Sequence, residues 1–137
     1  MNYLKQSLDS FLVSVASDEP APGGGAVAAV AVALAAGLSG MAARLSADHL
    51  ADATGLAERA DRLRQRVAPL AQEDATAYGH VLAAYRSQDD GAPGVRRERI
   101  RMALSGAADV PLAIAEAGAE VAEIAARLAR EDKPNLR

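Results

Sequence analysis

One carboxylate stands where the pattern of the chain calls for an apolar side chain. Leu56, Ala60, Leu63, Val67, Leu70, Asp74, Ala77, Val81 and Ala84 recur in alternating steps of four and three residues, the spacing of the buried stripe of a long helix. Asp74 in that stripe must be paired with a cation, carry a proton, or face a pocket, because an isolated buried charge is costly. Desolvation without a nearby cation raises a carboxyl pKa, the tuning that a general acid or base needs near neutral pH. Tyr78 lies one turn on and Tyr85 eleven residues on, so both rings project from nearly the same face as Asp74. In a chain with three tyrosines, one phenylalanine and no tryptophan, that makes an acid-centred patch with aromatic walls. A buried aspartate neutralised by an arginine from another helix fits the same pattern.

A second feature is the run Pro22-Gly23-Gly24-Gly25-Ala26-Val27, with glycines directly before a helix start. Unpaired backbone N–H groups and the positive end of the helix dipole can bind an anion there, and glycine lets a ligand touch the main chain. A hinge that merely turns the chain fits equally. No Gly-Lys-Ser/Thr follows, which excludes a Walker loop. Arg96, Arg97, Arg99 and Arg101 surround Glu98 at the start of the last helix and read first as a solvated face. His49 and His80 share no face with a carboxylate at ligand spacing, so no metal site is expected. No Gly-x-Ser-x-Gly elbow accompanies the serines.

The elements that must hold these residues are helical. Alanine supplies 34 of 137 residues, a composition that favours helix by intrinsic propensity and suits one domain. The pattern predicts an all-α bundle of four to five long, partly kinked helices. Apolar residues at Leu4, Leu8, Phe11, Leu12 and Val15 predict a first helix over 3–16, ended by Pro20, Pro22 and the glycines. A second runs over about 26–47, with the small residues Ala29, Ala33, Gly37 and Gly40 on one side for close packing. A third spans about 55–86 with a kink or break at Pro69, and a polar turn over 87–94 follows. The last covers about 95–130, interrupted at Pro111, with Asp109 placed to cap a restarted helix.

Zero cysteines exclude a disulfide scaffold, a Cys-ligated zinc site and a thiol nucleophile, and make the cytoplasm the unforced location. A net charge of -3 and four aromatic residues disfavour nucleic-acid binding. The N-terminus has no apolar run of signal-peptide length. Residues 26–43 carry no charge and just reach membrane-spanning length, but alanine, glycine and serine fill many positions where leucine would supply insertion energy. A helix buried on all sides by other helices is the expectation there, and no membrane partner is expected.

Taken in order, Ser7-Leu8-Asp9-Ser10-Phe11-Leu12, Ala21-Pro22-Gly23-Gly24-Gly25 leading into Val27-Ala28-Ala29, Asp74-Ala75-x-Ala77-Tyr78, Ala84-Tyr85-Arg86, Val110-Pro111-Leu112-x-x-Ala115-Glu116 and Pro134-Asn135 resemble the formiminotransferase-cyclodeaminase C-terminal domain family. The resemblance implies a helical homodimer with a folate cleft near the subunit interface, acting as a methenyltetrahydrofolate cyclohydrolase or a formimidoyltetrahydrofolate cyclodeaminase. It implies a tetrahydrofolate derivative as substrate and no separate cofactor. It also implies Asp74 as the catalytic acid-base group and Gly23, Gly24 and Gly25 as substrate contacts, to which Tyr78, Tyr85 and Arg44 are added as candidates. The family domain normally continues past the Pro-Asn pair, so 1–137 reads as one domain lacking a further C-terminal helical segment. A catalytically idle dimerisation module of the same fold is the alternative.

Overall fold

A computed structural model describes residues 2–88 and 92–131. The chain forms a short 3-10 turn, Tyr3–Lys5, and five helices: α1 (Leu8–Val15), α2 (Gly24–Leu45), α3 (Ala53–Val67), α4 (Leu70–Arg86) and α5 (Val95–Glu131). Among the described residues there is no strand, as the alanine-rich composition requires. The expected residues Asp89, Asp90 and Gly91 of the turn, and the Pro134-Asn135 pair, lie outside the described residues.

Helices α2, α3 and α5 build the core. The small face of α2 buries Ala26, Ala29, Ala36, Ser39, Gly40 and Ala43. A Cβ on Gly40 would stand 3.5 Å from Cβ of Ala60 on α3, and one on Gly118 of α5 would stand 3.4 Å from Cγ2 of Val32 on α2. Both are ordinary contact distances, so no more than a methyl would fit at these crossings, where small residues let the backbones approach closely. Leu56, Ala60, Leu63 and Val67 carry the predicted stripe along α3 into this core, facing Ile114, Ala117, Val121, Ile124 and Leu128 of α5. Arg59 and Arg66 of α3 both reach Glu120 of α5, at 3.3 Å and 2.8 Å, which fixes the two helices in register at the surface.

Four expectations are corrected. The first helix is a 3-10 turn and a separate eight-residue α1, because the Ser7 hydroxyl accepts the Ser10 N–H at 3.0 Å and starts the helix afresh. Of its apolar positions only Phe11 is buried, while Leu4, Leu8 and Leu12 are exposed. Helix α2 is not enclosed on all sides: Leu34, Leu38, Met41 and Leu45 are exposed on the face away from the core. By length and composition α2 could cross a membrane, with 39% of its most apolar window buried in the fold. Helix α5 runs through Pro111 without restarting, so Asp109 is an exposed mid-helix residue and not a cap. The apolar face that α5 buries on α2 and α3 beyond Pro111 outweighs the one hydrogen bond a proline removes. Pro69, by contrast, does separate α3 from α4, as expected.

Candidate functional site

Helix α2 begins at Gly24 with Gly23 as its cap residue, and no side chain caps it. The first N–H groups of an α-helix have no partner within the helix, and they carry the positive end of its dipole. Asp74, in the second turn of α4, brings its carboxylate to this end. A Cβ on Gly25 would lie 2.5 Å from Oδ2 of Asp74 and closer still to Oδ1 and Cγ, so only a residue without a side chain leaves room for the carboxylate. The glycine run thus has a reason that the sequence did not show. Gly23 is extended and no described glycine except Gly94 has positive φ, so close approach, not turn geometry, requires Gly25.

Asp74 is half-buried, with one side open on a cleft of about 290 Å³. The loop before α2 contributes Pro20 and Ala21, joined to Pro22 by a cis peptide, and the helix start contributes Gly23, Gly24 and Gly25. Helix α4 contributes Asp74, Ala75 and Tyr78, and α5 closes the far wall with Ala107 and Pro111. Three walls of backbone and small side chains around one carboxylate and one phenol make a slot suited to a flat, polar-edged ligand. Among the described residues no arginine lines it, and Asp74 pairs with none of them.

The N-terminal turn supports the site from behind. The Tyr3 N–H donates to Oε1 of Gln72 at 3.3 Å, two residues before Asp74, and the Tyr3 ring meets Phe11 edge-on at 5.7 Å. Burial pushes the Tyr3 phenol above its ordinary value, and the negative charge of Asp74 adds to the effect. Tyr3 is therefore within electrostatic reach of the carboxylate, which spacing along the chain did not reveal.

The structure brings Asp74, Tyr78, Gly23, Gly24 and Gly25 to one cleft, as expected, and leaves two candidates outside it. Tyr85 shares the angular position of Asp74 but stands about 16 Å further along the helix at 1.5 Å per residue. Its carbonyl accepts a hydrogen bond from Arg96 at 2.8 Å, and the Ser87 carbonyl accepts another from the same guanidinium at 2.9 Å. Arg96 thus caps the end of α4, so one member of the arginine cluster is structural. Arg44 lies near the opposite end of α2, about 30 Å from Gly24 along the axis, and pairs with Asp61 of α3. Ala107 and Pro111 were not foreseen as cleft residues. The Val110-Pro111-Leu112 motif was the available signal, and it carried no role until α5 was placed.

Comparison with known proteins agrees with this architecture. The family model described as Formiminotransferase-cyclodeaminase matches residues 7–137. The chain is 30% identical over 139 residues to methenyltetrahydrofolate cyclohydrolase of Methylorubrum extorquens, covering 96% of this chain and 67% of the relative. The crystal structure of formiminotetrahydrofolate cyclodeaminase from Thermotoga maritima is similar at a TM-score of 0.84 and 29% identity, covering 97% of this chain and 66% of that one. The chain therefore spans about two thirds of the length of these relatives.

Proposed function

Because the chain belongs to the formiminotransferase-cyclodeaminase family, we propose that it is a folate-dependent enzyme of one-carbon metabolism in which Asp74 is the acid-base group. The substrate is a tetrahydrofolate derivative, either the methenyl form, which is hydrolysed, or the formimino form, which is cyclised with loss of ammonia. The observation that carries the reading is the placement of the Asp74 carboxylate against Gly25, at the uncapped start of α2 and at the edge of the cleft.

The chemistry needs one such group in either case. In hydrolysis, water adds to the cationic methenyl carbon, and a carboxylate beside it both favours the cation and accepts the proton that the adding water loses; the resulting acid returns a proton to N5 as the C–N5 bond breaks and the hydroxyl proton leaves to solvent, giving the formyl product. In cyclodeamination, N10 attacks the formimino carbon; the carboxylate takes the N10 proton and the resulting acid delivers a proton to the departing ammonia. Asp74 can fill both roles from one position, with Tyr78 against the face of the ring system and Gly23 and Gly24 allowing it to approach the main chain. No separate cofactor enters either scheme.

The assembly we propose is a homodimer in the cytoplasm. Val27, Leu34, Leu38, Met41 and Leu45 are exposed along α2 at steps of seven, four, three and four, the spacing of a helix-pairing seam that a second copy would cover.

Side-by-side turnover of the methenyl and formimino substrates tests the proposal. Asp74→Asn should lower kcat on the active substrate by about a hundredfold or more, with little change in thermal midpoint. Turnover within threefold of the parent on both substrates would remove Asp74 from the mechanism.

A further inference from the structure

Asp74 and Tyr78 stand one turn apart on the face of α4 that lines the cleft. Among the described lining residues they alone carry polar side-chain atoms, the others being proline, alanine and glycine. An aromatic residue on a helix leans back over the turn before its own Cα, which for Tyr78 is the turn that bears Asp74. Neighbours at this spacing have Cβ atoms about 5–6 Å apart. Among the described residues neither the Tyr78 phenol nor the Asp74 carboxylate has a hydrogen-bond partner. Packing does not account for the phenol, since Tyr78 is 45% exposed, and stacking on a heterocycle needs the ring but not the hydroxyl.

From this pair we infer that the Tyr78 hydroxyl is a second catalytic group, an acceptor that together with Asp74 holds the small molecule exchanged at the one-carbon centre: water on entry or ammonia on departure. The inference rests on the folate reading given above and deepens it. Water attacks carbon through a lone pair, so both of its hydrogens must point away from that carbon. Two acceptors about 2.8 Å from one water oxygen, set at its tetrahedral angle, are roughly 4.6 Å apart, a span that side chains on adjacent turns can bridge. Asp74 takes one hydrogen as a proton while the C–O bond forms. Tyr78 holds the other, which stays on oxygen until it leaves to solvent at the open side of the cleft. In cyclodeamination the departing nitrogen takes its proton from Asp74, and the phenol oxygen accepts one of its N–H groups as the C–N bond breaks. Tyr78 itself gains and loses no proton. Holding the small molecule in line with the carbon raises kcat and leaves folate affinity alone.

Tyr78→Phe keeps the ring and removes the acceptor. With the folate substrate that the parent turns over, kcat should fall about tenfold, the loss of one hydrogen bond made in the transition state, while KM and the folate Kd from equilibrium dialysis stay within twofold. In an Asp74→Asn background the same change should cost less than threefold, because the two groups hold one molecule. A kcat within twofold of the parent, a loss carried by KM, or a full tenfold loss in the Asp74→Asn background overturns the inference and leaves the folate reading intact. Should Tyr78→Phe not fold, Tyr78→Gln and Tyr78→Leu decide: the first restores an acceptor through its amide carbonyl and should exceed the second in kcat at least threefold, and equal values refute the acceptor. If the parent neither binds nor turns over a folate, both readings fall together.

Discussion

Replacing Gly25 by alanine should separate the stability of the protein from its chemistry. The new Cβ would stand 2.5 Å or less from all three terminal atoms of Asp74, against the roughly 3.4 Å at which carbon and oxygen touch without strain. The carboxylate must retreat by about 1 Å or more. It can do so, because it is half-buried and the cleft lies open beside it. Alanine meanwhile favours the first turn of α2 over glycine by up to about 1 kcal/mol, so net stability should move by no more than about that amount and the thermal midpoint by about 4 °C in either direction. Catalysis has no such tolerance, since a misplacement of about 1 Å can cost a hundredfold in rate. Paired calorimetry and steady-state turnover on Gly25→Ala should therefore show a near-normal midpoint with kcat down about a hundredfold. In an Asp74→Asn background the same substitution should add less than a twofold further loss, because both changes disable one group. Gly79→Ala is the control: its Cβ would meet nothing within 4 Å, and it sits mid-helix in α4, so the midpoint should rise a few degrees with turnover unchanged. Turnover of Gly25→Ala within threefold of the parent would refute the argument, for the carboxylate would then not act from its place at the helix start.

Two further outcomes test the frame around the site. The Glu120 carboxyl is held below its ordinary value of 4.5 by hydrogen bonds from Arg66 and then Arg59. Its contribution is present above that pH and is lost as the pH falls through the lower folded value, so Glu120→Gln should flatten the acid limb of the thermal midpoint against pH, and parallel limbs would refute the linkage. Leu38→Asp places a charge on the exposed seam of α2 without touching the core, so sedimentation should report a folded monomer where the parent is a dimer; a parent that is itself monomeric refutes the assembly.

The residues that betrayed themselves in the sequence did so by contradiction. Asp74 was legible because a carboxylate conflicts with the stripe from Leu56 to Ala84, and the helices were legible because alanine-rich segments with that periodicity have few alternatives. Periodicity gives an angle around a helix and nothing about height. Tyr85 therefore looked like a neighbour of Asp74 although it lies about three turns away, and Arg44 was credited to a cleft at the other end of its helix. The glycine run was visible but its reason was not, because the demand on Gly25 comes from α4, some fifty residues on. Pro111 misled in a different way: its local cost predicts a break, and only packing distributed along α5 shows why none occurs.

The cleft is built from places where helices fail to be regular. Helix α2 starts there without a side-chain cap, α4 enters it just after the Pro69 break, and α5 passes it at the proline that interrupts its hydrogen-bond ladder. A regular three-helix contact would have interdigitated and left no space. The start of α2 also leaves N–H groups that the interior of a helix keeps to itself. Backbone, small side chains and the Tyr78 phenol make up the rest of the lining. Asp74 is the exception, the one carboxylate among these walls, and Gly25 is what admits it.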